Sequence, residues 1–73
     1  MKKKAIFPGS FDPITIGHVD IIKRGMKVFD EIIIAVGNNT DKKYMFPKEK
    51  RVEFVKNTFI NSDIIKIESY YGL

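Results

Sequence analysis

The run Ile32-Ile33-Ile34-Ala35-Val36 constrains this chain more than any other stretch. A strand with one face in water alternates apolar and polar residues. One that is apolar throughout and rich in β-branched residues is covered on both faces, as in parallel sheets. The run, bounded by Glu31 and Gly37, therefore predicts a central parallel strand. Parallel strands need long crossovers, usually helical, and the flanking sequence supplies them. Lys3 to Phe7 reads as a first strand, with Ala5, Ile6 and Phe7 consecutive and Pro8 ending it. From about Ile16 to Phe29, the residues Val19, Ile22, Met26 and Phe29 recur at the spacing of one helix face. Ile21 and Val28 widen that stripe, and Lys23, Arg24 and Lys27 fall outside it. Gly25 inside the helix costs about 1 kcal/mol relative to alanine, so it is read as a point of close packing. A second helix starts near Pro47 and continues through Lys56, with Val52, Val55 and Phe59 on its buried face. Asp63 opens a last strand containing Ile64, Ile65 and Ile67.

The order is thus β-α-β-α-β, without internal repeat, low-complexity segment or linker. Right-handed crossovers in the strand order 3-2-1 put both helices on one face of the sheet and leave the other bare. Yet Ile32 to Val36 is apolar on both sides. That conflict predicts a missing half, a partner chain or burial between subunits. A chain of 73 residues is also short for such a domain, burying only about 60% of the surface it exposes unfolded. It stops at Gly72-Leu73, directly after a strand. We read residues 1–73 as the amino-terminal part of a single domain of a longer protein.

Composition narrows the class. A hydrophobic fraction of 44% with 30% charged residues fits a folded globular chain. The absence of cysteine removes disulfide frameworks and thiolate metal sites, and a cytoplasmic setting is expected. Met1-Lys2-Lys3-Lys4 imitates the basic start of a signal peptide, but the apolar stretch behind it ends at Pro8. No apolar run approaches the roughly 18 residues of a membrane span, so no membrane partner is expected. The net charge of +4 favours anionic partners, and most of it is read as solvated lysine. Nucleic acid is not expected, because no basic patch interleaved with aromatics and no recognisable module occurs.

Usable chemistry concentrates in Phe7-Pro8-Gly9-Ser10-Phe11-Asp12-Pro13-Ile14-Thr15-Ile16-Gly17-His18. This stretch runs from a strand end through a loop into the first turn of a helix. Backbone N–H groups and the positive helix end meet there, so an anion is the expected ligand. Ser10 and His18 flank the site. Lys42 and Lys43 follow the second strand within the loop that begins at Gly37-Asn38-Asn39-Thr40-Asp41. Each has a plainer reading. A lone histidine is usually a surface or satisfied core residue, Ser10 could be a loop or capping hydroxyl, and adjacent lysines are usually solvated. Asp12 could ligate a metal, but between Phe11 and Pro13 it is read as stabilising the turn. Tyr70-Tyr71 is read as packing.

The string from Pro8 to His18, followed by Asp20-Ile21-Ile22, closely resembles the opening of the bacterial phosphopantetheine adenylyltransferases. Within it Thr15-Ile16-Gly17-His18 is a T-x-G-H form of the signature shared with cytidylyltransferases and class I aminoacyl-tRNA synthetases. Arg24, Phe29-Asp30, Lys42-Lys43, Met45-Phe46, Glu49 and Arg51 agree in register. The resemblance implies a Rossmann-like doubly wound parallel sheet, of which this chain is the first β-α-β-α-β half. It implies transfer of the adenylyl group of ATP to 4′-phosphopantetheine, giving dephospho-coenzyme A and pyrophosphate, with Mg²⁺ and usually in a hexamer. His18 would bind the ATP phosphates and stabilise the charge developing on the α-phosphate. Ser10 would bond phosphate oxygens of both substrates, and the Phe11 backbone would help hold the nucleotide. Lys42 would grip the phosphopantetheine phosphate, and Leu73 matches a position near the pantetheine channel. No residue is assigned as a metal ligand.

Two departures follow. The family's arginine-rich segment and serine-rich loop lie beyond this chain, so the 73 residues alone are expected to be inactive. Pro47 stands where a capping serine or threonine is usual, at a cost of about 1 kcal/mol. The alternative reading is a non-catalytic nucleotide- or phosphate-binding fragment that lacks the carboxy-terminal half of the site.

Overall fold

The computed structural model describes residues 2–71. Its elements are β1 (Lys4–Gly9), α1 (Ile16–Gly25), β2 (Glu31–Asn38), α2 (Lys48–Thr58) and β3 (Ile65–Tyr71). The three strands form one parallel sheet in the order β1-β2-β3. The isoleucine run is the central strand, with Ile34 opposite both Phe7 and Ile67. Alternate residues Ile32, Ile34 and Val36 are fully buried and join Phe11, Ile22, Val55 and Phe59 in the core. Ile22 comes from α1 and Val55 from α2, so both helices cover the same face, as right-handed crossovers require. On the other face Ile33 and Ala35 are half-buried and Ile6 is 64% exposed. Nothing among the described residues covers that face. The architecture is one β-α-β-α-β half of a Rossmann-like sheet.

Several boundaries move. β1 continues through Pro8 and Gly9, with Pro8 opposite Ala35. Among the described residues β1 is an edge strand, and a proline keeps strand geometry where no second neighbour needs its missing donor. α1 ends at Gly25, not Phe29, because the N–H groups of Val28 and Phe29 turn back onto the Gly25 carbonyl at 2.9 and 2.8 Å. That turn still delivers Met26 and Phe29 to the core. Ile21 and Val28 do not widen the buried stripe, being 55% and 60% exposed. One residue is about 100° of helix rotation, so Ile21 swings off a sheet only three strands wide. Gly25 is a point of close packing: a Cβ there would come within 3.2 Å of the Phe7 Cζ and 3.4 Å of the Ile32 Cδ1.

α2 starts after Pro47, which offers no capping side chain. Its first residue is tied instead to the last residue of β3, since the Lys48 ammonium donates to the Tyr71 hydroxyl at 3.0 Å. That bond raises the Lys48 pKa. Asp63 and Ile64 precede β3 and do not open it, although the Ile64 carbonyl already accepts from the Ile32 N–H at 2.8 Å. Tyr70 lies across Gly37, where a Cβ would come 2.9 Å from its hydroxyl. No helix among the described residues is long and apolar enough to cross a membrane.

Candidate phosphate-binding site

His18 occupies the third position of α1, behind Thr15 as the N-cap. The Thr15 Oγ1 accepts from the His18 N–H at 3.3 Å, and the Thr15 N–H donates to His18 Nδ1 at 3.0 Å. This is a capping box in which an imidazole replaces the usual glutamate. Because Nδ1 accepts, the hydrogen-bond pattern assigns the ring proton to Nε2. The ring is further held edge-on against Phe11, with centroids 5.0 Å apart. The Nε2–H donor is thus oriented at the start of a helix whose first N–H groups, on Ile16 and Gly17, have no intrahelical acceptor.

Phe11 explains how the preceding loop is shaped. Its φ is 48°, a left-handed conformation rare outside glycine. Its ring is buried in the core, and that burial offsets the strain. The ring also crosses Gly9, where a Cβ would sit 3.0 Å from Phe11 Cε2 and 3.2 Å from Cζ. Gly9→Ala is therefore expected to destabilise the fold by about 1–3 kcal/mol through overpacking, measured by chemical denaturation. Unchanged stability would mean that Phe11 can leave the core freely. Phe7, Pro8, Phe11, His18, Ile21 and Ile22 surround a pocket of about 190 Å³ beside the imidazole.

A second loop, between β2 and α2, completes the described part of the site. Asp12 does not stabilise its own turn. Its carboxylate accepts from the Phe46 N–H at 2.7 Å and from the Met45 N–H, joining the two loops. Arg51 joins them again. Fully buried on α2, it donates through Nη1 to the carbonyls of Ser10 (3.0 Å) and Gly37 (2.7 Å). Its Nε donates to the Phe46 carbonyl at 3.0 Å, and its Nη2 to the Asn38 side chain. Its guanidinium lies 3.9 Å from the centre of the Tyr44 ring. Arg51 had a signal in sequence beyond its register, since it precedes Val55 and Phe59 by four and eight residues on one helical stripe. Tyr44 had none.

Of the expected site residues, Phe11 and His18 are in contact. Ser10 is held by its carbonyl, and its hydroxyl has no protein partner among the described residues. Lys42 is exposed in the second loop, with its ammonium 5.7 Å from the Tyr44 ring centre. It is linked to Ser10 through Tyr44 and Arg51, not directly. Leu73 lies outside the described residues. No three of His, Asp and Glu gather into a potential metal site among the described residues. Both oxygens of Asp12 are engaged by backbone N–H groups.

A parallel β-α-β-α-β sheet whose loops place a helix N-terminus, an imidazole N–H and an exposed lysine at one end has the architecture of the Rossmann-like class. Residues 6–72 match the cytidylyltransferase-like family, and the chain belongs to it. Among curated proteins, it is 58% identical over 71 residues to the phosphopantetheine adenylyltransferase of Christiangramia forsetii, covering 97% of this chain and 47% of that protein. It is 55% identical to the same-named protein of Clostridium beijerinckii, covering 94% of this chain and 43% of that protein. The chain thus spans about half the length of the curated relatives it matches. A bifunctional NMN adenylyltransferase/ADP-ribose pyrophosphatase from Francisella tularensis, solved with AMP and manganese, superposes with a TM-score of 0.81 at 24% identity, over 99% of this chain and 23% of that one. The NadR protein in complex with NAD and AMP-PNP superposes with a TM-score of 0.86 at 23% identity, over 97% and 21%. At such identities these two structures establish the shared fold.

Proposed function

We propose that the intact protein containing this chain is a pantetheine-phosphate adenylyltransferase. A phosphate oxygen of 4′-phosphopantetheine attacks the α-phosphorus of ATP. The bond from that phosphorus to the oxygen bridging the β-phosphate breaks, and pyrophosphate leaves. The observation that carries this reading is the His18 imidazole, fixed by the Thr15 N–H so that its Nε2–H donates at the start of α1. Transfer between two phosphates needs no protein nucleophile, so placement of the reactants and stabilisation of charge on the α-phosphate do the work. His18 supplies a donor there, and the N–H groups opening α1 supply others. The Ser10 hydroxyl bonds phosphate oxygens of both substrates, and the Phe11 backbone holds the nucleotide. Lys42 neutralises the acceptor phosphate. Mg²⁺ bound with ATP would supply positive charge to the triphosphate. The marked identity to named relatives supports the substrate assignment.

Pyrophosphate release from ATP, measured with and without 4′-phosphopantetheine, tests the reading. Release that requires the acceptor is expected, and release independent of it would sink the proposal. The uncovered sheet face with Ile6 and Ile33 fits an intact protein in which more structure lies against it. By the same resemblance that protein is a cytoplasmic hexamer, a mass that analytical ultracentrifugation reads directly.

A further inference from the structure

Lys42 sits on a surface loop, where a lysine has four freely rotating side-chain bonds and no reason to point at a ligand. The surrounding contacts remove much of that freedom. The Tyr44 hydroxyl accepts from the Asn39 N–H at 2.7 Å, and the Asn39 carbonyl accepts from the Lys42 N–H at 3.0 Å. The Asn39 side chain closes the turn by accepting from the Asp41 N–H at 2.9 Å. The backbone that carries Lys42 is therefore anchored on one phenol. The same ring lies within 5.7 Å of the Lys42 ammonium and 3.9 Å of the Arg51 guanidinium. Arg51 in turn is fixed by the carbonyls of Ser10 and Gly37. An unbroken set of contacts runs from Ser10 through Arg51 and Tyr44 to Lys42.

We propose that Tyr44 is a positioning residue: stacked on buried Arg51, it sets where the Lys42 ammonium stands relative to Ser10. The ring face attracts the cation, and the hydroxyl holds the turn. Neither contact touches a substrate. Tyr44 acts only through Lys42, and its effect on the acceptor rests on the reading of Lys42 as the acceptor-phosphate ligand.

The test is a double-mutant cycle on the intact protein. Binding of 4′-phosphopantetheine is measured by calorimetry for the wild type, Lys42→Ala, Tyr44→Leu and the double variant. Lys42→Ala and Tyr44→Leu are each expected to weaken binding by about tenfold, the scale of one charge-assisted contact. The double variant should bind within about twofold of Lys42→Ala, because Tyr44 has nothing left to position. Tyr44→Phe keeps the ring and loses the Asn39 bond, and it should weaken binding by about threefold. It also serves as the measured variant if Tyr44→Leu does not fold. A merely structural Tyr44 would give effects that multiply, and that result overturns the proposal, as does wild-type affinity in Tyr44→Leu. In parallel, NMR of ¹³C-labelled lysine reads the Lys42 ε-methylene shift, which the Tyr44 ring should displace upfield and Tyr44→Leu should return to the value of a free lysine. If the wild type does not bind 4′-phosphopantetheine, the functional reading fails, and the NMR shift alone decides the positioning: its loss in Tyr44→Leu supports it and its absence in the wild type overturns it.

Discussion

His18→Gln is expected to keep the stability of the wild-type protein and lose adenylyl transfer by about a hundred- to a thousandfold in kcat, the usual cost of one donor to a developing anion. The two properties separate because His18 uses its two nitrogens for different ends. Nδ1 accepts from the Thr15 N–H and closes the capping box of α1. Nε2–H is the donor that the proposed chemistry requires. Glutamine at the third helical position is a natural member of a capping box, so its side-chain oxygen can replace Nδ1. Its reach is then spent backwards on Thr15, and nothing replaces Nε2–H. His18→Ala should lose both, with about 1 kcal/mol less stability from the opened cap and the same fall in kcat. Turnover near the wild-type rate in His18→Gln would remove the imidazole from the mechanism. A large loss of stability in that variant would instead show that the Phe11 contact, not the cap, holds the ring.

The central strand and the start of α1 are legible in the sequence for reasons that are local. Ile32 to Val36 is unbroken, and a fully apolar strand has few places to go except the middle of a parallel sheet. Thr15 to His18 opens α1 with cap, glycine and imidazole contiguous. Boundaries were less legible because they depend on partners distant in sequence. Pro8 reads as a strand end by propensity, yet its place opposite Ala35 on β1 spares it. Ile21 follows the helical stripe, but the three-strand sheet is too narrow to cover it. Asp12 looks like a local turn residue in the sequence because the N–H groups its carboxylate accepts from, those of Met45 and Phe46, lie more than thirty positions away. Separation along the chain also hides the role of Arg51, whose partners Ser10 and Gly37, 41 and 14 positions away, only the folded sheet brings together.

Arg51 carries the other large prediction: Arg51→Lys should destabilise the protein at least as much as Arg51→Met, by about 3 kcal/mol in each case. Charge conservation would suggest the opposite order. The guanidinium is fully buried, and its hydrogen-bond partners are neutral: three backbone carbonyls and the Asn38 side-chain oxygen. Among the described residues no carboxylate pairs with the cation to offset its desolvation, so its place is maintained by a planar fork that satisfies acceptors in several directions at once. Methionine leaves those acceptors unpaired but also relieves the buried charge. Lysine keeps the charge, has a compact ammonium that cannot span the fork, and loses the flat stack on Tyr44. Both variants should also loosen the link between the Ser10 and Lys42 loops, so that any residual activity shows a raised KM for the acceptor. Denaturant unfolding of the two variants settles the order. Full stability in Arg51→Lys would mean that one buried cation of any shape suffices, and that the two loops are held by Asp12 and its backbone bonds instead.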